Sequence, residues 1–335
     1  MPETRLPAIA VLATGGTIAG VQTGAASGGY RAGSLPAEQL LAAVPGVERL
    51  ARLQAEQVAS VGSQNISLAV WARLAERVAE LCADPAVDGI VITHGTDTLE
   101  ETAYFLSLVL PAAKPVVLVG AMRPATALGA DGPANLYNAV ALAADPQAAD
   151  RGPLVLMNDE IHYARHVQKM SANGVAAFAS PNGPRAGVMR AGRAVFTARP
   201  EGAGPIFALP PAGPDGVRDW PVVDIVYACT DLDGALIDFM ASRARGIVLA
   251  GVGDGNASEA ALQALARAAA RGVAVVRATR TGAGWVGRNV EVDDDAHGFV
   301  AAGPVSPQKA RVLLLLALSG PARPADVAAL QALFA

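Results

Sequence analysis

Short runs of β-branched and aliphatic residues at 8–12, 88–92, 115–119 and 153–157 alternate with stretches whose apolar positions recur at helical spacing. That alternation predicts a parallel sheet covered by helices. The clearest helix follows Ser67: Trp71, Leu74, Val78 and Leu81 form one stripe, and Ser67 is placed to cap it. A second helix is predicted over 97–110, with acidic residues at its start and Tyr104, Phe105, Leu108 and Val109 along its apolar side. Residues 186–197, with Gly192 at the turn, read as a closing hairpin. Around 199–221 the composition shifts to a linker, with Pro200, Pro205, Pro210, Pro211, Pro214 and Pro221 among glycines and alanines. Beyond it, strands at 222–227, 246–249 and 273–277 and helices at 234–243, 257–270, 307–319 and 324–333 make a second unit. The predicted class is therefore α/β with two α/β domains. A larger N-terminal parallel-sheet domain with a closing hairpin spans 1–200, a linker 201–221, and a smaller Rossmann-like C-terminal domain 222–335.

Composition narrows the partners. The 335 residues are enough for two domains that each bury a core. A net charge of -4 without a run of five like charges leaves no footprint for nucleic acid, so the expected partner is a small molecule. The apolar fraction of 52% is mostly alanine and valine, and runs such as 312–318 are too short to span a bilayer, so no membrane partner is expected. Cys82 and Cys229 lie far apart and read as unpaired. Residues 1–5 lead straight into the first strand without the pattern of a secretion signal. The expectation is a cytoplasmic protein; the alternative is a periplasmic one whose signal peptide was removed.

Two predicted strands run into hydroxyl-rich turns. One is Thr14-Gly15-Gly16-Thr17 and the other is Thr93-His94-Gly95-Thr96-Asp97-Thr98. Ligands of open α/β sheets bind outside the carboxyl ends of the strands, so both turns are expected at one pocket where a threonine attacks a carbonyl. Backbone N–H groups at the strand-to-helix corner of Thr96 and Asp97 are expected to be unpaired and aimed at an anion. Ser63-Gln64-Asn65, after Gly62 at another strand end, offers hydrogen bonds to a polar substrate. The Gly-rich stretch 23–33 carries Tyr30 and reads as a lid. Lys169 is one of just three lysines. His162 and His166 have the spacing of helical metal ligands, yet no helix is predicted there and the HExxH pattern is missing, so no metal and no other cofactor is expected. No G-x-S-x-G elbow marks a serine hydrolase.

The main rival motif is Gly251-Val252-Gly253-Asp254-Gly255-Asn256, which follows a strand and precedes a helix in the manner of a dinucleotide fingerprint. Its third glycine comes one residue early, and the next strand ends in Arg277 where an acidic ribose ligand belongs. An NADP-dependent oxidoreductase, with Arg277 and Arg280 on a phosphate, is kept as the rival class.

Taken together, the two threonine turns, Gly62-Ser63-Gln64, Val119-Gly120-Ala121-Met122-Arg123-Pro124, Asp131-Gly132-Pro133-Ala134-Asn135, Met157-Asn158-Asp159, residues 251–256, Glu291-Val292-Asp293-Asp294 and Pro307-Gln308-Lys309-Ala310-Arg311 closely resemble the bacterial type II L-asparaginases over nearly the whole chain. The resemblance implies hydrolysis of L-asparagine to L-aspartate and ammonia by a homotetramer whose active sites are shared between subunits. It implies Thr17 as the acylating nucleophile assisted by Tyr30, and a second cluster of Thr96, Asp97 and Lys169. By the same resemblance Ser63 and Gly95 hold the substrate α-carboxylate. Gln64 and Asp97, with Asn256 and Glu291 of the neighbouring subunit, surround the α-ammonium, and the Ala121 carbonyl accepts from the scissile amide. Asn65 stands where an acid is usual, Asp254 where asparagine is usual and His166 where aspartate often follows arginine. Cys82 has no cysteine near Ala112 to match the disulfide of some secreted relatives, which favours a reducing compartment. Gln64 in place of an acid favours asparagine over glutamine. A glutaminase-asparaginase and a non-catalytic amino-acid-binding protein are the alternatives.

Overall fold

The computed structural model describes residues 5–22, 30–31, 33–111, 113–200, 205–320 and 326–334. The chain divides into two compact units, Met1–Ile206 and Phe207–Ala335. Strands of the first unit are β1 (Ala8–Gly15), a ribbon of β2 (Val21–Gln22) and β3 (Tyr30–Arg31), β4 (Arg52–Val61), β5 (Gly89–Thr93), β6 (Val116–Val119), β7 (Pro153–Met157), β8 (Glu160–Tyr163), β9 (Gln168–Lys169), β10 (Phe178–Ala179), β11 (Arg185–Arg190) and β12 (Arg193–Phe196). Eight of them form one sheet in the order β12-β11-β8-β7-β6-β5-β1-β4. Pairing is parallel from β4 through β7 and antiparallel from β7 to β12.

Every residue of β5, β6 and β7 is buried, which is why these strands read as continuous apolar runs rather than as alternating ones. Helices α1 (Ala37–Ala42), α2 (Leu68–Ala83), α3 (Leu99–Val109) and α4 (Gly132–Ala143) cover the sheet. The Ser67 hydroxyl accepts from Val70 N–H at 3.3 Å and caps α2, whose Trp71, Leu74, Val78 and Leu81 are buried. Trp71 stacks on Phe105 of α3 with ring centroids 4.7 Å apart. Leu136, Ala139 and Val140 of α4 share a core with Val91, Val117 and Leu154. The hairpin turns through Ala191 and Gly192, both at positive φ (49° and 72°), the geometry that suits a two-residue hairpin loop.

One departure from expectation bears on the threonine turns. The helix predicted from residue 97 begins at Leu99, with Thr98 in the cap position. Long-range ties hold the preceding turn out of the helix: Asp97 N–H donates to Ser63 Oγ at 3.1 Å, and Thr98 Oγ1 donates to the Ser63 carbonyl at 2.8 Å. The expectation of unpaired N–H groups at this corner is therefore corrected at Asp97, whose amide is spent on Ser63.

The chain steps from β1 outward to β4, then returns across β1 to place β5 on its other side. Between β1 and β5 the strand order reverses, and such a switch point opens a crevice at the carboxyl ends of the two strands. Both threonine turns leave from there.

The second unit holds a four-stranded parallel sheet in the order β13 (Val223–Tyr227), β14 (Gly246–Gly251), β15 (Ala274–Thr279) and β16 (Phe299–Ala301). Its helices are α5 (Ala235–Ala241), α6 (Glu259–Ala270), α7 (Asp294–His297), α8 (Pro307–Ser319) and α9 (Val327–Leu333). Ile237 of α5 and Ala261, Ala264 and Leu265 of α6 pack on Ile247, Leu249 and Val275 of the sheet. No helix among the described residues is long and apolar enough to cross a membrane.

Candidate active site

Gly16 ends the turn after β1 at φ +82°, a conformation that favours glycine, and a Cβ there would lie 2.3 Å from Gly95 Cα. The two hydroxyl-rich turns thus meet backbone to backbone. Thr17 follows, in a short helical turn over Thr17–Ala19, and is buried. A third strand end joins them: a Cβ on Gly120, just past β6, would lie 2.9 Å from the His94 carbonyl and 3.0 Å from Thr96 Cγ2. The loop that carries Ala121 is held in place by Asp131, whose carboxylate accepts from Met122 N–H and Arg123 N–H at 2.9 Å each. Ala121 itself is fully buried.

Around Thr96 the side chains form a charged cluster. Lys169 Nζ donates to Thr96 Oγ1 at 2.9 Å and to Asp97 Oδ1 at 2.6 Å. Lys169 is 15% exposed while the Asp97 carboxylate is 60% exposed, so the pair has a protein side and an open side. Ser63 is buried beside Gly95, where a Cβ would lie 2.8 Å from Ser63 Oγ. Gln64 is exposed and folds back over Gly62. In this unit, then, the backbone brings the Thr17, Ser63, Gly95, Thr96, Asp97, Lys169 and Ala121 segments to the carboxyl ends of β1, β5 and β6. Of the predicted lid, residues 23–29 lie outside the described residues, as does the side chain of Tyr30; the Tyr30 backbone pairs with Gln22.

Behind the cluster lies a network that sequence reading missed. His94 is fully buried, its Nδ1 2.7 Å from the Gly95 carbonyl and its Nε2 2.9 Å from Thr102 Oγ1, which also accepts from Trp71 Nε1 at 2.8 Å. A ring nitrogen facing a carbonyl must donate, so Nε2 accepts and Thr102 donates. Burial pushes the imidazole pKa down to about 4, so it is neutral at pH 7. No periodicity links residues 71, 94 and 102, and only the packing of α2 and α3 on β5 brings them together.

In the second unit Asn256 Nδ2 donates to Glu291 Oε2 at 3.0 Å, so the structure brings these two predicted residues together. Both sit on loops held from beneath by Arg277. That guanidinium is fully buried, pairs with both Asp294 oxygens at 2.6 and 2.7 Å, and donates to the carbonyls of Asp254, Gly255 and Gly287 at 2.9–3.2 Å. Arg280 donates to the Ala228 carbonyl at 2.7 Å. The reading of Arg277 as a dinucleotide phosphate ligand is thereby corrected: its donors are consumed inside the unit.

Residues 8–201 match the family model described as asparaginase, N-terminal, and residues 222–334 match the glutaminase/asparaginase C-terminal domain. The chain belongs to the bacterial type II L-asparaginase family. It is 46% identical to the L-asparaginase 2 of Escherichia coli over 94% of this chain and 89% of that one. It is 45% identical to a probable periplasmic L-asparaginase of Haemophilus influenzae, again over 94% and 89%. Among solved structures, a probable cytoplasmic L-asparaginase from Campylobacter jejuni superposes with a TM-score of 0.88 at 41% identity, covering 98% of this chain and 99% of that one.

Within this asparaginase framework two departures from the commonest pattern have local explanations. Asp254 Oδ1 accepts from Gly287 N–H at 2.7 Å, so the acid ties the loop before Asn256 to the loop before Glu291. His166 packs over Gly183, where a Cβ would lie 2.4 Å from the ring. Asn65 ends the short turn Ser63–Asn65 and is exposed, and nothing in the structure explains its replacing an acid. Cys82 and Cys229 are both free.

Proposed function

We propose that this chain is an amidohydrolase that converts L-asparagine to L-aspartate and ammonia, with Thr17 as the nucleophile. The observation that carries the reading is the Lys169 ammonium held at 2.6–2.9 Å from Asp97 and Thr96, on a turn that abuts the Thr17 turn across the strand-order switch. A threonine hydroxyl is a weak nucleophile, and it becomes competent only beside groups that move protons, as Lys169 and Thr96 do at the turn facing Thr17. Thr17 Oγ attacks the side-chain amide carbon and its proton passes, through Tyr30, to the departing nitrogen. The C–N bond breaks, ammonia leaves, and an aspartyl ester on Thr17 remains. Water held at Thr96 beside Lys169 cleaves that ester, and its proton returns to Thr17. Thr96 N–H steadies the oxyanion in both steps.

The substrate is a zwitterion and needs both donors and carboxylates around it. Ser63 and Gly95 take its α-carboxylate. Gln64, the exposed Asp97 carboxylate, and Asn256 and Glu291 of the partner subunit take its α-ammonium, in a homotetramer with shared sites. The Ala121 carbonyl accepts from the scissile amide. The domain boundaries of the proposal stay at 1–200, 201–221 and 222–335. A reducing, cytoplasmic setting fits the two free cysteines, one of them exposed.

Measuring ammonia release from asparagine and glutamine side by side tests the substrate. The two amides differ by one methylene, worth ~1–3 kcal/mol in a fitted pocket, so asparagine is expected to be preferred by roughly tenfold or more. Equal specificity constants support the glutaminase-asparaginase reading instead.

A further inference from the structure

Lys169 lies on one of the shortest elements of the first unit. Strand β9 has two residues and pairs only with the two-residue β10, in the register Phe178 with Lys169 and Ala179 with Gln168. A two-stranded ribbon of this length is marginal on its own. Yet the ammonium at the end of the lysine side chain is held within 2.9 Å of Thr96 and Asp97.

The main chain of the same residue is fastened on the side away from the ribbon. Lys169 N–H donates to Glu100 Oε2 at 2.5 Å, across 69 positions of sequence. Glu100 is 4% exposed and sits in the first turn of α3, directly after the turn that bears Thr96 and Asp97. A buried carboxylate is costly unless it is hydrogen-bonded, and charge-assisted bonds to backbone N–H are among the stronger ones available. Its place in the first turn of a helix also suits its charge. Lys169 is therefore joined at two points to one continuous segment: its ammonium to Thr96 and Asp97 on the turn, its backbone amide to Glu100 in the helix that follows. The chemistry of the proposed reaction has no use for this carboxylate.

We propose that Glu100 is the positioning residue of Lys169, fixing the lysine backbone to α3 so that the ammonium stays at Thr96 and Asp97. This rests on the reading that Lys169 acts in the reaction. A displacement of about 1 Å at a reacting group costs as much as 10²-fold in rate, so Glu100→Ala is expected to lower kcat by roughly 10–100-fold while KM stays within about threefold. Glu100→Gln keeps an acceptor for Lys169 N–H and is expected to restore kcat to within about fivefold of the parent. Steady-state kinetics on asparagine for both variants and for Lys169→Met form the test, with aspartate binding confirming a folded site. If Glu100→Ala does not fold, Glu100→Asp, which draws the carboxylate back by one methylene, takes its place with the same expected loss.

A kcat near the parent's in Glu100→Ala beside an inactive Lys169→Met overturns the positioning role and leaves the lysine's role intact. A loss in Glu100→Gln as large as in Glu100→Ala also overturns it, because the acceptor is then not what matters. Parental turnover in Lys169→Met brings down the reading of the cluster itself, and this inference with it.

Discussion

At the scale of single residues, His94 shows how burial alone sets a protonation state beside a reactive turn. Its pKa is about 4 in the folded protein against an ordinary 6.5. Between those values the unfolded chain binds a proton that the folded one refuses, so stability falls as pH drops from 6.5 and levels off near 4. The full effect is on the order of 3 kcal/mol at 1.4 kcal/mol per pH unit. Comparing urea midpoints at pH 7.5 and 4.5, His94→Gln is expected to lose less stability over that interval than the parent does. Equal losses would mean that the imidazole is not held neutral. Lys169→Met tests the neighbouring cluster. A neutral side chain of similar length cannot carry a proton, and a decrease in kcat of roughly 10²–10⁴-fold with aspartate binding retained is expected. Unchanged turnover would make the lysine only a structural charge.

At the scale of elements, two glycines with nearly the same φ differ in ψ and in what surrounds them: Gly16 has ψ -173° and Gly46 has ψ 1°. Gly16 and Gly46 have φ of +82° and +80°, but a Cβ on Gly16 strikes the Gly95 backbone while nothing lies within 4 Å of one on Gly46. Gly46→Ala is expected to cost only the left-handed conformation, ~1–2 kcal/mol, with activity unchanged. Gly16→Ala combines a backbone region that is essentially glycine's alone with a clash that forces the two threonine turns apart, so it should lower both the melting temperature and kcat/KM by clearly more. Equal effects of the two changes would show that the turns do not need to touch. The strands and α2 were legible in sequence because burial there is uniform: β5 to β7 are apolar throughout and α2 keeps one stripe. The start of α3 was not legible, since it is decided by Ser63, 34 positions upstream of Asp97. Nor could the rarity of Lys169 reveal which residues it would meet. Resemblance supplied Thr96 and Asp97, whereas Glu100 and the His94, Thr102 and Trp71 chain emerged only from the packing.

At the scale of the whole molecule, the proposed site draws on both units, Thr17 from the first and Asn256 with Glu291 from the second. If the second group reaches the site of a partner subunit, two crippled variants can complement each other. Thr17→Ala and Glu291→Ala proteins, mixed and allowed to exchange subunits, are expected to regain part of the parental activity, because some mixed sites pair an intact Thr17 with an intact Glu291. Verified mixed oligomers with no more activity than the separate variants would confine both residues to one chain. The central claim, amide hydrolysis through Thr17, is tested most directly by following aspartate and ammonia together from asparagine with the parent and with Thr17→Ala. The parent should release the two products one for one. Thr17→Ala, folded and still binding aspartate, should fall by at least ~10⁴-fold, as expected when a covalent nucleophile is removed, whereas turnover within about tenfold of the parent would contradict the account.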